Sequence, residues 1–209
     1  MDYEQLFHVL KSVKDKNGKP AVFTTYAMPA NVNIKETLRQ GKFVPENLDA
    51  TYNRLAKEDT SIFEDAVELM QEGISAGLIR PQFHGREHLN VLAFNRLLSD
   101  KNPVLMANLE LNSLAGLPNH EGLPHIKFSE AFSFRDKEEI ENHKVIIKDG
   151  LSRIEKVYGY KLGTFTPPVM LLHPELYSYV EELGIKAIDK PRFHQVHLGE
   201  GKYQNEKNN

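Results

Sequence analysis

His84 and His88 stand four residues apart in RPQFHGREHLN (Arg80 to Asn90), and an imidazole pair at that spacing can hold one divalent ion. The geometry is open to two histidines on adjacent turns of a helix. It is equally open to a first histidine that ends a strand and a second that begins the next helix. Nine histidines in 209 positions produce such a pair about 0.4 times by chance, so the surroundings must decide. The plain alternative is one packed core histidine and one surface histidine. Pro81 and Gly85 are poor helix-interior residues, which places His84 at the carboxyl end of a strand, the edge on which barrel enzymes build active sites. Gln82, Arg86, Glu87 and Asn90 add a dense polar cluster ahead of an apolar helix, and Arg86 and Asn90 are candidates for contact with a substrate. HGREH also matches His-x-x-Glu-His, the inverted zinc-peptidase motif with glutamate as general base. That chemistry needs one continuous helix through Gly85, which Gly85 and the strand-like IRPQF oppose.

Other residues that carry chemistry are less organised. Glu87 reads as an exposed acid at a helix start, favourable there through the helix dipole. Glu110 and Glu130 each fall on a candidate strand and are possible substitutes for a third metal ligand. His120, Glu121 and His125 form a weak second cluster in the loop NHEGLPH. His194 and His197, in RFHQVHLGEG, read as solvated loop residues, and DKEEIENHK (Asp136 to Lys144) as a solvated helix face. Neither G-x-G-x-x-G nor a P-loop occurs.

The elements that must position the histidines follow from periodicity and punctuation. Leu6, Phe7, Leu10 and Val13 predict a helix over Asp2 to Val13, stopped by DKNGKP. AVFTTY (Ala21 to Tyr26) reads as a strand, Asn33 to Arg39 as a helix, and Pro45 to Lys57 as helical. Ser61 and Glu64 form a capping box before a helix with Phe63, Ala66, Val67, Met70 and Ile74 on its buried stripe, ended by Gly77. Leu78 to His84 reads as a strand, His88 to Leu98 as a helix, and Pro103 to Leu111 and Ile126 to Phe134 as strands. Asp136 and Glu139 repeat the capping signal before the longest helix, with Ile140, Ile147, Leu151, Ile154 and Val157 on one face. Leu162 to Pro168 reads as a strand ended by prolines, Pro174 to Leu183 as a helix closed by Gly184, and IKAID as a further strand. Alternation of strands with helices predicts an α/β fold with mainly parallel strands in one domain, 1–198. The tail, 199–209, has almost no apolar content and is expected to lack structure.

Composition removes several classes of function. A chain of this length buries roughly 70% of its unfolded surface in one core. Lys and Arg total 26 against 29 Asp and Glu, a net charge of −3, so no nucleic-acid partner is expected from charge. No apolar run is long enough for a membrane helix, and no signal pattern follows Met1. With no cysteine, thiolate catalysis, disulfides and Cys-based zinc sites are excluded, and any ion must be held by His, Asp or Glu. The missing signal and missing cysteine together suggest a cytoplasmic protein.

Four blocks carry a family likeness: KDKNGKPAVFTTYAMPAN, GISAGLIRPQFHGREHLNV, EKVYGYKLGTFTPP and LYSYVEELGIKAID. In order and spacing, from about Asp2 to Lys190, they resemble the polysaccharide-deacetylase superfamily, and RPQFHGREHLN is the most specific of them. The resemblance implies a distorted or incomplete (β/α) barrel. It also implies a divalent ion, Zn²⁺ foremost, with His84 and His88 on the two histidines of the family's second motif. Such an ion activates water and polarises an acetyl carbonyl, so the implied activity is deacetylation of an acetylated carbohydrate. Thr166 and Pro167, in the TFTPP turn, fall where the family lines its substrate groove.

The chain departs from that pattern at both ends. The family's first motif, an Asp pair on the first barrel strand, has no counterpart, since the sequence begins in the helix after that strand. The late strand with a further catalytic histidine and the arginine that orients the base are not evident either. The expectation is therefore a barrel lacking its first and last strands, whose exposed sheet edges favour self-association. A silent ion- or sugar-binding fragment is the competing reading.

Overall fold

The computed structural model describes residues 2–60, 65–115, 117 and 128–207. Its centre is a four-stranded parallel sheet of β1 (Tyr26–Ala27), β4 (Gln82–Phe83), β5 (Thr164–Phe165) and β6 (Ala187–Ile188), in that spatial order. The regular strands are short because their sequences stop them. Pro167 and Pro168 have no amide hydrogen to continue β5, and Gly85 leaves β4 at φ 91°. Pairing does extend past the formal ends: Phe23 N–H donates to Leu78 O and Arg80 N–H to Phe23 O upstream of β1 and β4. A fold of mixed α/β type with a mainly parallel sheet is thus present. Beside the sheet lie two antiparallel pairs, β2 (Ala30–Val32) with β3 (Pro45–Asn47), and β7 (Phe193–His197) with β8 (Tyr203–Lys207).

Eight α-helices occur among the described residues: α1 (Asp2–Ser12), α2 (Ile34–Gln40), α3 (Leu48–Glu58), α4 (Ala66–Ser75), α5 (Val91–Ser99), α6 (Pro103–Glu110), α7 (Glu139–Tyr158) and α8 (Tyr177–Glu182). Phe83 and Phe165, adjacent on β4 and β5 with ring centroids 4.8 Å apart, are fully buried at the middle of the main core. Ile147 and Ile154 of α7, Phe94 of α5 and Leu105 of α6 close around them, all without exposed surface. A second, smaller cluster joins Phe7 and Leu10 of α1 to Leu78 and Ile79.

Several expectations from sequence need correcting. Pro103 to Leu111 is not a strand but α6. Asn102 caps it by accepting from Val104 N–H and Leu105 N–H, Pro103 sits in the first turn, and Leu105 and Leu109 share the buried face. A short apolar run is compatible with either period, and here the cap decides it. The part of Ile126 to Phe134 that lies within the described residues is a turn-rich segment rather than a strand. Phe128, Ala131, Phe132 and Phe134 are all buried there without two-residue alternation. Pro45 to Asn47 is β3, so helix begins only at Leu48, and the helix expected from His88 begins at Val91. The Ser61–Glu64 capping box and the His120, Glu121 and His125 cluster lie outside the described residues.

The tail is also different from expectation. Tyr203–Lys207 forms β8, in register with Phe193–His197 from Phe193↔Lys207 to His197↔Tyr203. A polar strand needs no apolar residues of its own when it is an outer edge, and β7 supplies the buried Val196, His194 and His197 beneath it.

Candidate active site

Backbone hydrogen bonds bring three residues to one edge. His84 N–H donates to Ala27 O, Thr166 N–H to Phe83 O and Asp189 N–H to Phe165 O, each from the residue just past its strand. His84, Thr166 and Asp189 therefore stand side by side at the carboxyl end of the sheet, where open α/β folds bind ligands. Side chains knit them together. Tyr26 Oη and Thr166 Oγ1 both donate to Asp189 Oδ2, each at 3.2 Å, and the Tyr26 ring stacks on His84 at 5.5 Å.

His84 Nδ1 lies 2.6 Å from the Thr166 carbonyl oxygen. A carbonyl only accepts, so Nδ1 carries the proton and Nε2 keeps its lone pair. Burial lowers the His84 pKa from its ordinary value; the Thr166 bond opposes that shift and His88 adds to it. The ring is consequently neutral near pH 7, the form that ligates a metal. The His88 ring lies 5.3 Å from that of His84, centroid to centroid, at 55°. Two imidazoles, one with its second nitrogen anchored to a backbone carbonyl, are a donor set suited to Zn²⁺ or a similar ion. Among the described residues no group of three or more His, Asp or Glu side chains is arranged to hold an ion.

Of the residues expected at the site, His84, His88 and Thr166 come together. Pro167 is buried directly behind Thr166, and the next residue, Pro168, packs against Gly85. Arg86 and Asn90 are committed elsewhere. Arg86 donates to both oxygens of Glu87 and to Asp149 of α7. Asn90 caps α5 through Ala93 N–H, and its Nδ2 donates to Glu130 O, Ser133 O and Ser133 Oγ, which ties the turn-rich segment down. Glu87, expected to be an exposed helix-start acid, is instead buried and precedes the helix. Residues 84–90 are irregular, with Gly85 in the left-handed region, so HGREH lacks the single helix an inverted zinc peptidase requires.

Gly150 sets how closely α7 approaches this loop. A Cβ there would lie 2.7 Å from Arg86 Cβ and 2.9 Å from Arg86 Cα. Gly150→Ala gains about 1 kcal/mol of helix propensity. Against backbone that cannot rotate away, overpacking costs about 1–3 kcal/mol. The expected outcome is net destabilisation, read as a lower urea midpoint than wild type.

The remaining acids and histidines lie apart from this edge. Glu110 ends α6 in solvent, and Glu130, on no strand, accepts from Tyr203 Oη at 2.6 Å. His194 and His197, expected as solvated, are 8% and 3% exposed on β7. His143, expected on a solvated face, is fully buried. Sequence reasoning missed Tyr26 and Asp189. The signal was available, because each ends or follows a strand that was foreseen, and the carboxyl-edge rule applied to His84 reaches both. Compared with family models, curated proteins and solved structures, the chain matches none.

Proposed function

We propose that the carboxyl edge of the sheet is the site of a metal-dependent hydrolase of the carbohydrate-deacetylase type. The observation that carries this reading is His84 held by the Thr166 carbonyl as a neutral Nε2 donor, with His88 5.3 Å away at the strand ends. The likeness of RPQFHGREHLN and TFTPP to the polysaccharide-deacetylase pattern supports it, and so does the parallel sheet, which an incomplete (β/α) barrel would contain. In such a barrel β1 and β6 are open edges, which favour self-association.

His84 and His88 would hold the ion. When bound, a divalent ion supplies the Lewis acidity that lets an acyl group be hydrolysed near neutral pH. The chain's own residues do the positioning. Thr166 fixes the His84 tautomer through its carbonyl and the Asp189 carboxylate through its hydroxyl, and Tyr26 covers one face of the imidazole. Asp189 thereby presents an oriented carboxylate at an edge where hydrolysis needs an acid–base group. A second reading, ion or sugar binding without turnover, is favoured by the lack of a third metal donor grouped with the histidines among the described residues.

Metal content separates these readings from none at all. Protein purified without chelator is expected to carry about one Zn²⁺ or similar ion per chain. The His84→Ala/His88→Ala protein is expected to carry none while keeping its far-ultraviolet circular dichroism. Ion-dependent acetate release from acetylated oligosaccharides then supports the hydrolase, and a bound ion without release supports the silent binder. A wild-type protein that takes up no ion, even when Zn²⁺ is supplied, defeats both.

A further inference from the structure

The carboxyl side of the sheet also opens into a cavity of about 400 Å³ that has His88 in its wall. The segments that line it are those leaving β1 and β4, the strands that carry the site. Met28, Ala30 and Val32 come from the first and Leu89 from the second, and Leu114 and Phe128 line it as well. Its polar members are Asn31, Thr51, Glu87, His88 and Ser129, against eight apolar residues, and Asn31 Oδ1 already accepts from Val32 N–H. Glu87 also reaches it, but both carboxylate oxygens are bound to Arg86, so the charge is already compensated. Thr51 Oγ1 donates to Glu46. A sugar ring placed here would lose the solvation of its hydroxyls and find few partners in return. A methyl group such as that of acetate needs about the space of one water molecule, on the order of 30 Å³. The cavity is roughly ten times that size, in the range of pockets that bury whole small ligands.

We propose that this cavity receives the acyl chain of the substrate, and that the chain preferred is about four to eight carbons long rather than acetyl. The carbonyl would lie at the His84–His88 pair, with the sugar outside the sheet edge and the alkyl tail running past His88 between Met28, Leu89 and Phe128. This inference rests on the hydrolase reading for its carbonyl, while the cavity's preference for an alkyl chain is a binding property measured without turnover.

The test uses N-acylglucosamines with two, four, six and eight acyl carbons. Affinity for the Zn²⁺-supplied full chain is measured by calorimetry, and release of the free acid is measured in parallel. Each buried methylene is expected to tighten binding roughly fourfold until the cavity is full. Ser129, one of the residues that line the cavity, supplies a filling variant: Ser129→Phe is expected to abolish the gain beyond two carbons. Leu114→Ala enlarges the same space and is expected to shift the optimum to a longer chain, so the idea stays testable if the filling variant misfolds. Equal affinity for the two-carbon and six-carbon compounds overturns the acyl cavity. So does a chain-length series that neither variant changes. Tighter binding of the longer chain without acid release upholds the cavity and counts against the hydrolase. Acetate release without any chain-length preference does the reverse.

Discussion

Arg86→Ala is expected to cost about 3–5 kcal/mol of folding stability, the range seen when one member of a buried ion pair is removed. Arg86 is 9% exposed and Glu87 4%. Arg86 Nε donates to Glu87 Oε2 at 2.5 Å, Nη2 to Glu87 Oε1 at 3.1 Å and Nη1 to Asp149 Oδ2 at 2.9 Å. The guanidinium also lies 5.4 Å from the centre of the Phe43 ring. Burial pushes the Glu87 carboxyl above its ordinary 4.5, and the Arg86 hydrogen bonds and charge pull it only part of the way back. Without the arginine, the carboxylate must either stay charged in a dry site or take up a proton. The second course fixes the sign of the pH dependence. A group whose folded pKa is raised contributes stability that is present below its unfolded value and lost as pH rises through the folded one. The variant should therefore recover stability toward pH 5 and be weakest near pH 8. Removing both charges, as in Arg86→Leu/Glu87→Leu, is expected to restore most of the loss.

Urea unfolding of the wild type and these two variants at pH 5 and pH 8 checks every part of this. If Arg86→Ala keeps the wild-type midpoint at pH 8, the ion pair is not structural. Arg86 then returns to the role its sequence context suggested, contact with substrate, visible as a raised KM with stability unchanged. The two roles thus leave different signatures: a structural Arg86 moves the midpoint first and the KM only through misplacement of His84 and His88.

The contrast between His84 and Arg86 shows what could be read before the structure. His84 was legible because local signals, Pro81 before it and Gly85 after it, end a strand at that residue. Thr166 was legible in the same way from the prolines that follow. Asp189 obeys the same rule, since it ends IKAID as His84 ends its own strand. Arg86 and Glu87 were not legible. Two adjacent charges normally mark a solvated loop, and what buries them is Gly150 and Asp149, more than sixty residues downstream on α7. Local pattern reports strand ends and caps; it does not report which helix face descends on a loop. The apolar run of α6 is the intermediate case: its composition fits a buried strand, and the Asn102 cap with Pro103 in the first turn makes it a helix. The cavity beside His88 lies wholly beyond local reading, being made where five separate stretches of the described chain meet.

Lowering the pH from about 6.5 to about 4 is expected to remove about 3 kcal/mol of stability through one side chain, His143. DKEEIENHK looks like a helix surface, yet His143 shares its face with Ile140, Ile147 and Leu151 and has no exposed area. Phe132 meets its ring edge-on at 5.5 Å, Phe134 lies 6.3 Å away, and His173 and His197 face it from the loop before α8 and from β7. Neither ring nitrogen has a hydrogen-bond partner among the described residues. Burial, with some help from the two neighbouring histidines, lowers its pKa from 6.5 to about 4. The unfolded chain then binds the proton that the folded one refuses. Stability contributed by the neutral ring is present above 6.5, falls as pH drops, and is gone below about 4. His84 and His173 are shifted the same way by burial, so the slope of the wild type alone does not isolate His143. The difference between wild type and His143→Leu does. Leucine fills a similar space without two unpaired polar atoms, each of which costs about 1–3 kcal/mol. His143→Leu is therefore expected to be more stable than wild type at pH 7 and to lose much less between pH 6.5 and 4. Chemical denaturation of both proteins across that interval measures the two slopes, and parallel slopes would show that His143 does not control them. Because His197 lies on β7 and His173 just ahead of α8, the acid loss should appear first as loosening of the β7–β8 hairpin from α7. Amide exchange at Val196 and Tyr203 should accelerate before exchange at Phe83 and Phe165 in the sheet.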